Sequence, residues 1–265
     1  METIKGHNIE LAYGEKVIIH DLDIEITKGE VVSIIGTNGC GKSTLLKAIS
    51  RVLPCKNGNI YLDGEEISNI KNKEFAKKLA FVSQNNEIPD DITVYDFIMY
   101  GRVPHKKWYE VYNQEDKDIV DWAVTVCKLD KFRERKVMSL SGGERQKVWI
   151  AMVLAQKTGI LLLDEPTTYL DICHQFEIME LVRELNQNLG ITIIMVLHDL
   201  NQAAQYSNRI IVLKDGKKYK EGKSLEVLTP QLIREVYRVE SSIEIEDGVP
   251  YFRFCLLYTS DAADD

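Results

Sequence analysis

The stretch GTNGCGKST at residues 36–44 decides the fold of this chain. It matches the pattern G-x-x-x-x-G-K-[ST] and lies between an apolar run, VVSII at 31–35, and a segment of helical spacing that begins near Lys42. Glycines at such a strand-to-helix turn let backbone N–H groups surround phosphate oxygens, and the helix start adds partial positive charge. The stretch therefore predicts a phosphate-binding loop. An ordinary glycine-rich turn is the alternative.

The residues of this loop are expected to bind a nucleoside triphosphate. Lys42 is placed to reach the β- and γ-phosphates, and Ser43 to offer its hydroxyl to Mg²⁺. Thr44 is expected to cap the backbone or to contact the α-phosphate. The predicted ATP-binding set also includes Gly36, Thr37, Asn38, Gly39, Cys40 and Gly41.

Three further apolar runs lie outward from the loop: ILLL at 160–163, TIIMVL at 192–197 and RIIVL at 209–213. Their uninterrupted β-branched and leucine content is typical of strands covered on both faces, as in a parallel sheet. Apolar residues recur at helical spacing after VVSII as far as Pro54. They do so again after ILLL, from 172 to 189, before Gly190. Strands alternating with helices predict an α/β fold.

The front and the middle of the chain have other patterns. The stretches IELAY, KVIIHDLDIEI and NIYLDG alternate apolar and polar residues between turn signals, which predicts an antiparallel β layer beside the parallel core. The sequence is helical and charged from about Ile92 to Val137, as an inserted helical subdomain would be.

We therefore expect a single domain over residues 1–254. The predicted divisions are a core with its β subdomain in 1–90 and 157–240, a helical subdomain in 91–156, and a C-terminal strand region in 241–254.

The last eleven residues, CLLYTSDAADD at 255–265, have neither helical nor strand periodicity. They resemble a one-frame translation of a common transposase sequencing adapter. We expect the native sequence to stop near Phe254 and the tail to be an assembly artefact. A natural frayed terminus is the alternative.

Composition limits the classes of partner. The net charge of −8 argues against a surface built to neutralise a phosphate backbone, so no nucleic-acid partner is expected. The five cysteines are scattered without zinc-ligand spacing, which predicts reduced thiols. Because we find no signal peptide and no apolar run long enough to span a bilayer, any membrane role is expected to be peripheral, through a partner.

Two carboxylates end the run ILLLDEP. Asp164 suits Mg²⁺, because hard cations take oxygen ligands. Glu165 is expected to point the other way and to orient or deprotonate an attacking water. A chance Asp-Glu-Pro sequence is the alternative, and it becomes improbable beside a phosphate loop.

A second pair of glycines opens a helical run in LSGGERQ at 140–146. The backbone N–H groups of Gly142 and Gly143, together with the Ser141 hydroxyl, predict a second anion-binding helix start. The alternative is a serine N-cap followed by flexible glycines.

The combination of GTNGCGKST, LSGGERQ, ILLLDEP and the histidine of VLHDL resembles the ATP-binding cassette (ABC) ATPases from about residue 4 to residue 240. The resemblance implies the P-loop fold of that family, ATP hydrolysis with Mg²⁺, and a homodimer. In that family the LSGGQ-type loop of one subunit closes over the γ-phosphate held by the other. The residues implied to act across the dimer are Ser141, Gly142, Gly143, Glu144 and Asp171.

Three more roles follow from the resemblance. Tyr13 matches the aromatic residue that stacks on adenine, Gln84 the glutamine that contacts Mg²⁺ or water, and His198 the histidine that supports the γ-phosphate. The implied catalytic set is thus Lys42, Glu165 and His198, and the implied metal set is Ser43, Gln84 and Asp164. An exposed tyrosine, a loop glutamine and a strand-end histidine are the plain alternatives. Mild departures from the family pattern occur at Thr37, Glu144 and Tyr169.

The stretches at 100–105, 164–175 and 198–217 resemble the ATPases of iron-siderophore and cobalamin importers. This implies integral membrane permease subunits as partners, a periplasmic or lipoprotein binding protein acting indirectly, and a place on the cytoplasmic face of the membrane. Ferric siderophore is the favoured cargo. GRVPH at 101–105 is expected near the permease-coupling surface, unless it is only a proline-broken helix boundary.

Two rival functions stay open. One is an ABC ATPase serving a non-transport assembly such as Fe–S cluster biogenesis or translation. The other is a nucleotide-gated interaction module without catalysis, which the presence of Glu165 and His198 disfavours.

Overall fold

A computed structural model describes residues 2–84, 87–246 and 248–255. The predicted artefactual tail therefore lies outside the described residues, except for Cys255, which closes the last strand.

Strands and helices alternate along much of the described chain. The strands there are β1 Glu2–Tyr13, β2 Lys16–Thr27, β3 Val31–Gly36, β4 Asn57–Leu62, β5 Glu65–Glu66, β6 Leu79–Val82, β7 Ile160–Asp164, β8 Thr192–Val196, β9 Arg209–Lys214, β10 Lys217–Gly222, β11 Glu240–Glu246 and β12 Val249–Cys255. The α-helices there are α1 Lys42–Ile49, α2 Asn72–Lys78, α3 Val94–Met99, α4 Gln114–Val126, α5 Gly142–Ala155, α6 Ile172–Leu189, α7 Leu200–Tyr206, α8 Ser224–Val227 and α9 Pro230–Tyr237.

The central sheet has the strand order β10-β9-β3-β8-β7-β6. Its five strands from β9 to β6 are parallel, and β10 pairs with β9 in the antiparallel sense. Every residue of β3, β7 and β8 is buried, which explains why these strands lack polar alternation. The predicted parallel core is confirmed, with one antiparallel strand at its edge.

The apolar core occupies both faces of this sheet. Val32 and Ile34 of β3 pack toward the antiparallel sheet and α1, whereas Val31 and Ile35 pack toward the helices on the other face. The antiparallel sheet has the order β2-β1-β4-β5, and its buried side chains alternate with exposed ones along β2. The expected antiparallel layer is therefore confirmed.

An inserted helical part lies between β6 and β7 and contains α3, α4 and α5. Its buried side chains join the core on one face of the central sheet. The predicted α/β class, with a parallel core, an antiparallel layer and a helical insertion, is thus confirmed. The residue numbers of the domain divisions stay a prediction.

The helix after the phosphate loop is shorter than its apolar spacing predicts. It ends at Ile49, and Arg51 has a left-handed φ of 64° that an α-helix cannot contain. Val52, expected on the buried face, is 63% exposed. The prediction that this helix reaches Pro54 is wrong, because Val52 and Leu53 continue the spacing in a turn.

The C-terminal strands β11 and β12 form an antiparallel hairpin. Asn201 of α7 fixes the hairpin, because its amide accepts a hydrogen bond from Phe252 N at 2.8 Å and donates one to Phe252 O at 3.4 Å. No helix in the described residues is long and apolar enough to cross a membrane.

Candidate nucleotide site

The carboxyl ends of neighbouring parallel strands bring the predicted site residues to one edge of the central sheet. The phosphate loop follows β3, Asp164 ends β7, and His198 and Gln84 lie two residues beyond β8 and β6. Ligands in open α/β sheets bind at this edge. These residues are neighbours because of the order of the strands in the sheet, which cannot be derived from the sequence alone.

The phosphate loop has a backbone that only glycine accommodates at its two ends. Gly36 has φ 146° and Gly41 has φ 104°. A Cβ atom at Gly36 would overlap the carbonyl oxygen of Leu213, and one at Gly41 would overlap the Ile19 side chain of β2. The glycines therefore allow the loop to pack closely on β9 and on the antiparallel sheet.

The loop is arranged to receive an anion. Among the described residues, no side chain caps the first turn of α1. Lys42 is 5% exposed, and its Nζ donates to the carbonyl oxygens of Gly36 at 2.9 Å and Thr37 at 3.0 Å. A buried ammonium bonded to loop carbonyls, beside an uncapped helix start, suits phosphate oxygens.

Ser43 and Asp164 meet across the same site. The Ser43 hydroxyl donates to Asp164 Oδ1 at 2.8 Å, and Asp164 is 4% exposed. Burial raises the pKa of the Asp164 carboxyl, although the bond from Ser43 acts in the opposite direction. A buried carboxylate and a hydroxyl are two hard oxygen ligands, so this pair fits Mg²⁺.

Glu165 is held by three side chains from different parts of the chain. Its Oε1 lies 2.6 Å from His198 Nε2, and its Oε2 accepts hydrogen bonds from Gln84 Nε2 at 2.6 Å and Thr168 Oγ1 at 3.0 Å. The Glu165 backbone is left-handed, with φ 52°. The structure thus unites Glu165, His198 and Gln84, and places Gln84 on Glu165 rather than on the pair formed by Ser43 and Asp164.

Sequence reasoning missed Thr168. Its backbone N–H also donates to Glu165 O at 3.2 Å, so it closes a turn over Glu165. A hydroxyl residue three positions after the carboxylate was the available signal.

The start of α5 is a capping box. Ser141 Oγ accepts from Glu144 N at 3.3 Å, and Glu144 Oε2 accepts from Ser141 N at 2.9 Å. The hydrogen bond from the Ser141 backbone lowers the pKa of Glu144. The N-cap interpretation of Ser141 is therefore confirmed. The anion-binding role of this helix start stays a prediction.

Gly143 has a packing reason that the sequence did not show. A Cβ atom there would overlap the ring of His174 and lie 2.7 Å from its Cβ. His174 Nδ1 lies 2.8 Å from Asp171 Oδ2, while Asp171 Oδ1 accepts from His174 N at 2.9 Å as the N-cap of α6. The segment with Ser141 and the segment with Asp171 are thus packed together.

These two segments border a cavity of about 610 Å³. Gln84, Gly142, Thr168 and Tyr169 are among its lining residues. Residues 36–44 are all described, and none of them lines this cavity. Gly142 of the second glycine pair therefore borders a cavity that the phosphate loop does not line.

Tyr13, the residue predicted to stack on adenine, lies at the margin of the site. Tyr13 ends β1 opposite Lys16 and is 48% exposed, on the sheet whose Ile19 packs against Gly41. An exposed aromatic ring on that sheet is available for stacking.

GRVPH is partly internal, with Arg102 buried and Val103 54% exposed. Arg102 is buried, donates to Asp116 Oδ1 at 3.0 Å and to Ala155 O at 2.8 Å, and His105 Nε2 lies 2.8 Å from Gln156 O. These two side chains hold a proline-containing 3₁₀ turn against the end of α5. The place of GRVPH near a permease-coupling surface stays a prediction.

The loop, the buried Ser43–Asp164 pair and the Glu165 cluster define an ATP-binding cassette. The family model described as "ABC transporter" matches residues 19–168, and the chain belongs to this family of ATPases.

Within the family, the chain is similar to ATP-binding subunits of iron-chelate importers. It is 44% identical to the iron(3+)-hydroxamate import ATP-binding protein FhuC of Bacillus subtilis (strain 168), over 97% of this chain and 96% of the relative. It is 48% identical to the petrobactin import ATP-binding protein FpuC of Bacillus anthracis, over 94% and 92%. Against the ferric enterobactin transport ATP-binding protein FepC of Escherichia coli (strain K12), identity is 43% over 93% and 90%.

Solved structures agree with the fold. A metal-chelate type ABC transporter, described in an inward-facing conformation, matches 98% of this chain and 99% of its own, with TM-score 0.84 and 25% identity. A dimeric structure of MJ0796, a bacterial ABC transporter cassette, matches 83% and 98%, with TM-score 0.73 and 32% identity. The predicted family and the predicted P-loop ABC fold are confirmed.

Proposed function

We propose that this chain is the ATP-hydrolysing subunit of a ferric siderophore importer and drives permease subunits from the cytoplasmic face of the membrane. The observation that carries the enzymatic part is the convergence of Gln84, Glu165 and His198 beside the Ser43–Asp164 pair. The printed functions of the similar subunits support the transport part.

Lys42 and the loop N–H groups hold the triphosphate. The ammonium exchanges its bonds to Gly36 O and Thr37 O for the β- and γ-phosphate oxygens. Tyr13 stacks on the base. These contacts fix the γ-phosphate near Glu165.

Ser43, Asp164 and, through water, Gln84 are the residues that would hold Mg²⁺. The cation, when bound, neutralises charge on the transferred phosphoryl group. Asp164 must be ionised to hold it, so its raised pKa makes the site weaker in acid.

Glu165 acts as the general base. Its carboxylate takes a proton from the attacking water while the water oxygen bonds to the γ-phosphorus and the bond to the ADP oxygen breaks. In this structure the Glu165 carboxylate contacts His198, Gln84 and Thr168. To accept that proton, Glu165 must give up at least one of these contacts, and His198, once released from Glu165, supports the γ-phosphate.

The remaining donors come from a second copy of the chain. The helix start at Ser141 and the loop at Asp171 close over the phosphate bound by the partner's loop, which gives a symmetric dimer with two shared sites. Two observations support this: the cavity that Gly142 borders is not lined by residues 36–44 of the same chain, and a similar cassette is dimeric.

Glu165→Gln tests the catalytic assignment. It should retain ATP binding but lower kcat about 10²- to 10⁴-fold, since a general base contributes that much. Phosphate release and ATP-dependent dimerisation are measured on the same sample. Glu184→Gln, an exposed position on α6, serves as the control and should turn over normally. Undiminished phosphate release by Glu165→Gln would remove the assigned base.

Transport is tested in cells that lack this gene. Complementation should restore uptake of ⁵⁵Fe supplied as a ferric siderophore, and Glu165→Gln should not restore it. The similar subunits serve hydroxamate, petrobactin and enterobactin systems, so separate chelates are supplied in parallel. Copurification with a soluble assembly, without any polytopic membrane protein, would instead support the non-transport alternative.

A further inference from the structure

The turn after the 3₁₀ segment of GRVPH carries an unusual group of exposed apolar side chains. Trp108 is 96% exposed, Val111 85% and Tyr109 61%. Among the large hydrophobic residues that the structure describes, Trp108 is the most exposed. Because aromatic side chains are rarely left wholly in water without a use, this group calls for a partner.

Hydrogen bonds within the turn stabilise its conformation. Lys107 N donates to Glu110 Oε2 at 3.1 Å, and Glu110 N donates to Lys107 O at 3.0 Å. The rings of Trp108 and Tyr109 contact edge to face, with centroids 5.6 Å apart. The aromatic pair is therefore presented by an ordered turn, with Lys106 at its base paired to the buried Asp116.

A basic helix lies beside this turn. Residues 71–78, which include α2, carry four lysines and one glutamate, in a chain whose net charge is −8. Lys73 Nζ donates to Lys106 O, which joins α2 to the turn. We call residues 71–78 and 106–111 together the aromatic-basic cap.

The acidic groups facing the cap do not cancel its charge. Glu74 pairs with Lys77 at 2.9 Å, Asp63 with Lys78 at 3.2 Å, and Glu110 with Lys107 at 3.8 Å. Such exposed pairs are weak and exchange readily for another anion. Lys71 and Lys73 are exposed and add further positive charge.

We propose that the aromatic-basic cap binds directly to the anionic headgroup layer of the membrane. Tryptophan and tyrosine favour the boundary between water and hydrocarbon, and lysines are attracted to negatively charged lipids. A fully protruding tryptophan suits insertion between lipid headgroups. Docking of a permease helix would instead need a groove on this chain that receives the helix. The proposal rests on the proposed function only in placing this subunit beside a bilayer.

The binding is measured by sedimentation with vesicles. The intact chain should bind vesicles containing phosphatidylglycerol at least tenfold more strongly than pure phosphatidylcholine vesicles, and added salt should weaken the binding. Tryptophan fluorescence should shift to the blue and be quenched by brominated lipid. Trp122 and Trp149 are half-buried, so loss of both signals in Trp108→Phe would assign them to Trp108.

Matched variants separate the two components. The double variant Trp108→Ala with Tyr109→Ala should lose at least tenfold in binding at every salt concentration. Lys71→Glu with Lys73→Glu should abolish the preference for anionic lipid. Tyr251→Ala, at a half-exposed aromatic residue on β12, should bind normally. ATP turnover in the same samples shows that each variant is folded.

Two results would overturn the proposal. One is an intact chain that does not sediment with anionic vesicles, even if Trp108→Ala weakens copurification with the permease, because the occupant would then be protein. The other is normal binding by the double aromatic variant. Neither result touches the proposed function, which fails separately if the intact chain does not hydrolyse ATP.

Discussion

Gly143 lies where the start of α5 meets His174. Close packing against His174 requires glycine at this position but not at the adjacent Gly142. Within the same helix turn, a Cβ atom at Gly142 would lie 3.5 Å from Leu170, an ordinary contact. The two positions thus make different demands on the side chain, although the sequence presents them as equivalent.

Gly143→Ala should destabilise the chain by about 1–3 kcal/mol, because the added methyl group forces α5 and His174 apart. Gly142→Ala is the matched control and should be neutral or stabilising by up to about 1 kcal/mol, since alanine favours a helix. Urea unfolding of the nucleotide-free chain measures both. Adding His174→Ala to Gly143→Ala should recover only part of the loss, because the Cβ atom of residue 174 still lies 2.7 Å from the new methyl group. Equal stabilities for the two glycine variants would refute the packing role.

The buried carboxylate of Asp164 lowers the stability of the fold but provides a ligand for a cation. Its folded pKa is raised by burial, so the folded chain binds the proton more tightly than the unfolded chain. Stability therefore falls as the pH rises from the unfolded pKa, about 3.9, through the raised value, and it remains lower at neutral pH.

Asp164→Asn should consequently raise the Tm of the nucleotide-free chain at pH 7, because the amide oxygen still accepts from Ser43. The same change should lower Mg²⁺-dependent turnover by more than about 10-fold, since even an outer partner of a metal ligand contributes that much. Thermal unfolding without nucleotide, at pH 5 and pH 7, gives the stability result. A lower Tm at pH 7 would contradict the stated cost of the buried charge.

The roles of individual residues were predictable where those residues belong to a short contiguous sequence motif. The phosphate loop, Asp164 and Glu165 belong to this group, since a strand end and a glycine pattern identify them. The partners of Glu165 were named only through resemblance, because positions 84, 165 and 198 meet through the order of strands. Thr168 and His174 were missed for the same reason. Thr168 acts by contacting Glu165 and His174 by packing against Gly143, and neither residue belongs to a recognisable motif.

At the scale of elements, the helical insertion is fastened by a buried ion pair. Arg102 and Asp116 have side chains only 6% and 3% exposed, and Lys106 also pairs with Asp116. Burial acts to raise the pKa of Asp116, but bonds from Lys106, the Asn113 backbone and Arg102 together hold it below its ordinary value. The pair therefore stabilises fully above about pH 3.9 and is lost as the pH falls through the lowered pKa.

Asp116→Ala should cost about 3–5 kcal/mol at pH 7, because it leaves Arg102 buried without its carboxylate. Asp118→Ala, an exposed residue on the same helix, should change stability by less than about 0.5 kcal/mol. Combining Arg102→Met with Asp116→Leu should recover much of the loss, since packed apolar groups can replace a buried pair. Chemical unfolding measures the three variants against the unchanged chain, and a loss below about 1 kcal/mol for Asp116→Ala would show that the pair is dispensable.

Element identity followed from periodicity, and element ends did not. The buried strands were predictable because their apolar runs are short and uninterrupted. The end of α1 was mispredicted, because the apolar spacing continues through Leu53 while the backbone at Arg51 turns left-handed. Apolar spacing within α6 is likewise no guide to burial at every position, since Ile172 and Phe176 are 72% and 51% exposed.

At the scale of the whole molecule, half of each proposed site belongs to another copy of the chain. The phosphate loop and Glu165 lie at one sheet edge, whereas Gly142, at the start of α5, borders a cavity that no residue of the loop at 36–44 lines. A single chain thus holds both halves without joining them. Neither the sequence nor one chain's fold displays the joined site, which is why the dimer enters as a proposal.

Mixing two inactive variants tests this shared site most directly. Lys42→Ala removes the phosphate lysine, and Ser141→Arg blocks the second helix start, so each variant alone should be inactive. In an equal mixture half of the dimers contain one of each and have one intact site, which predicts about one quarter of normal ATP turnover. Turnover no higher than that of the separate variants would contradict a site built from two copies.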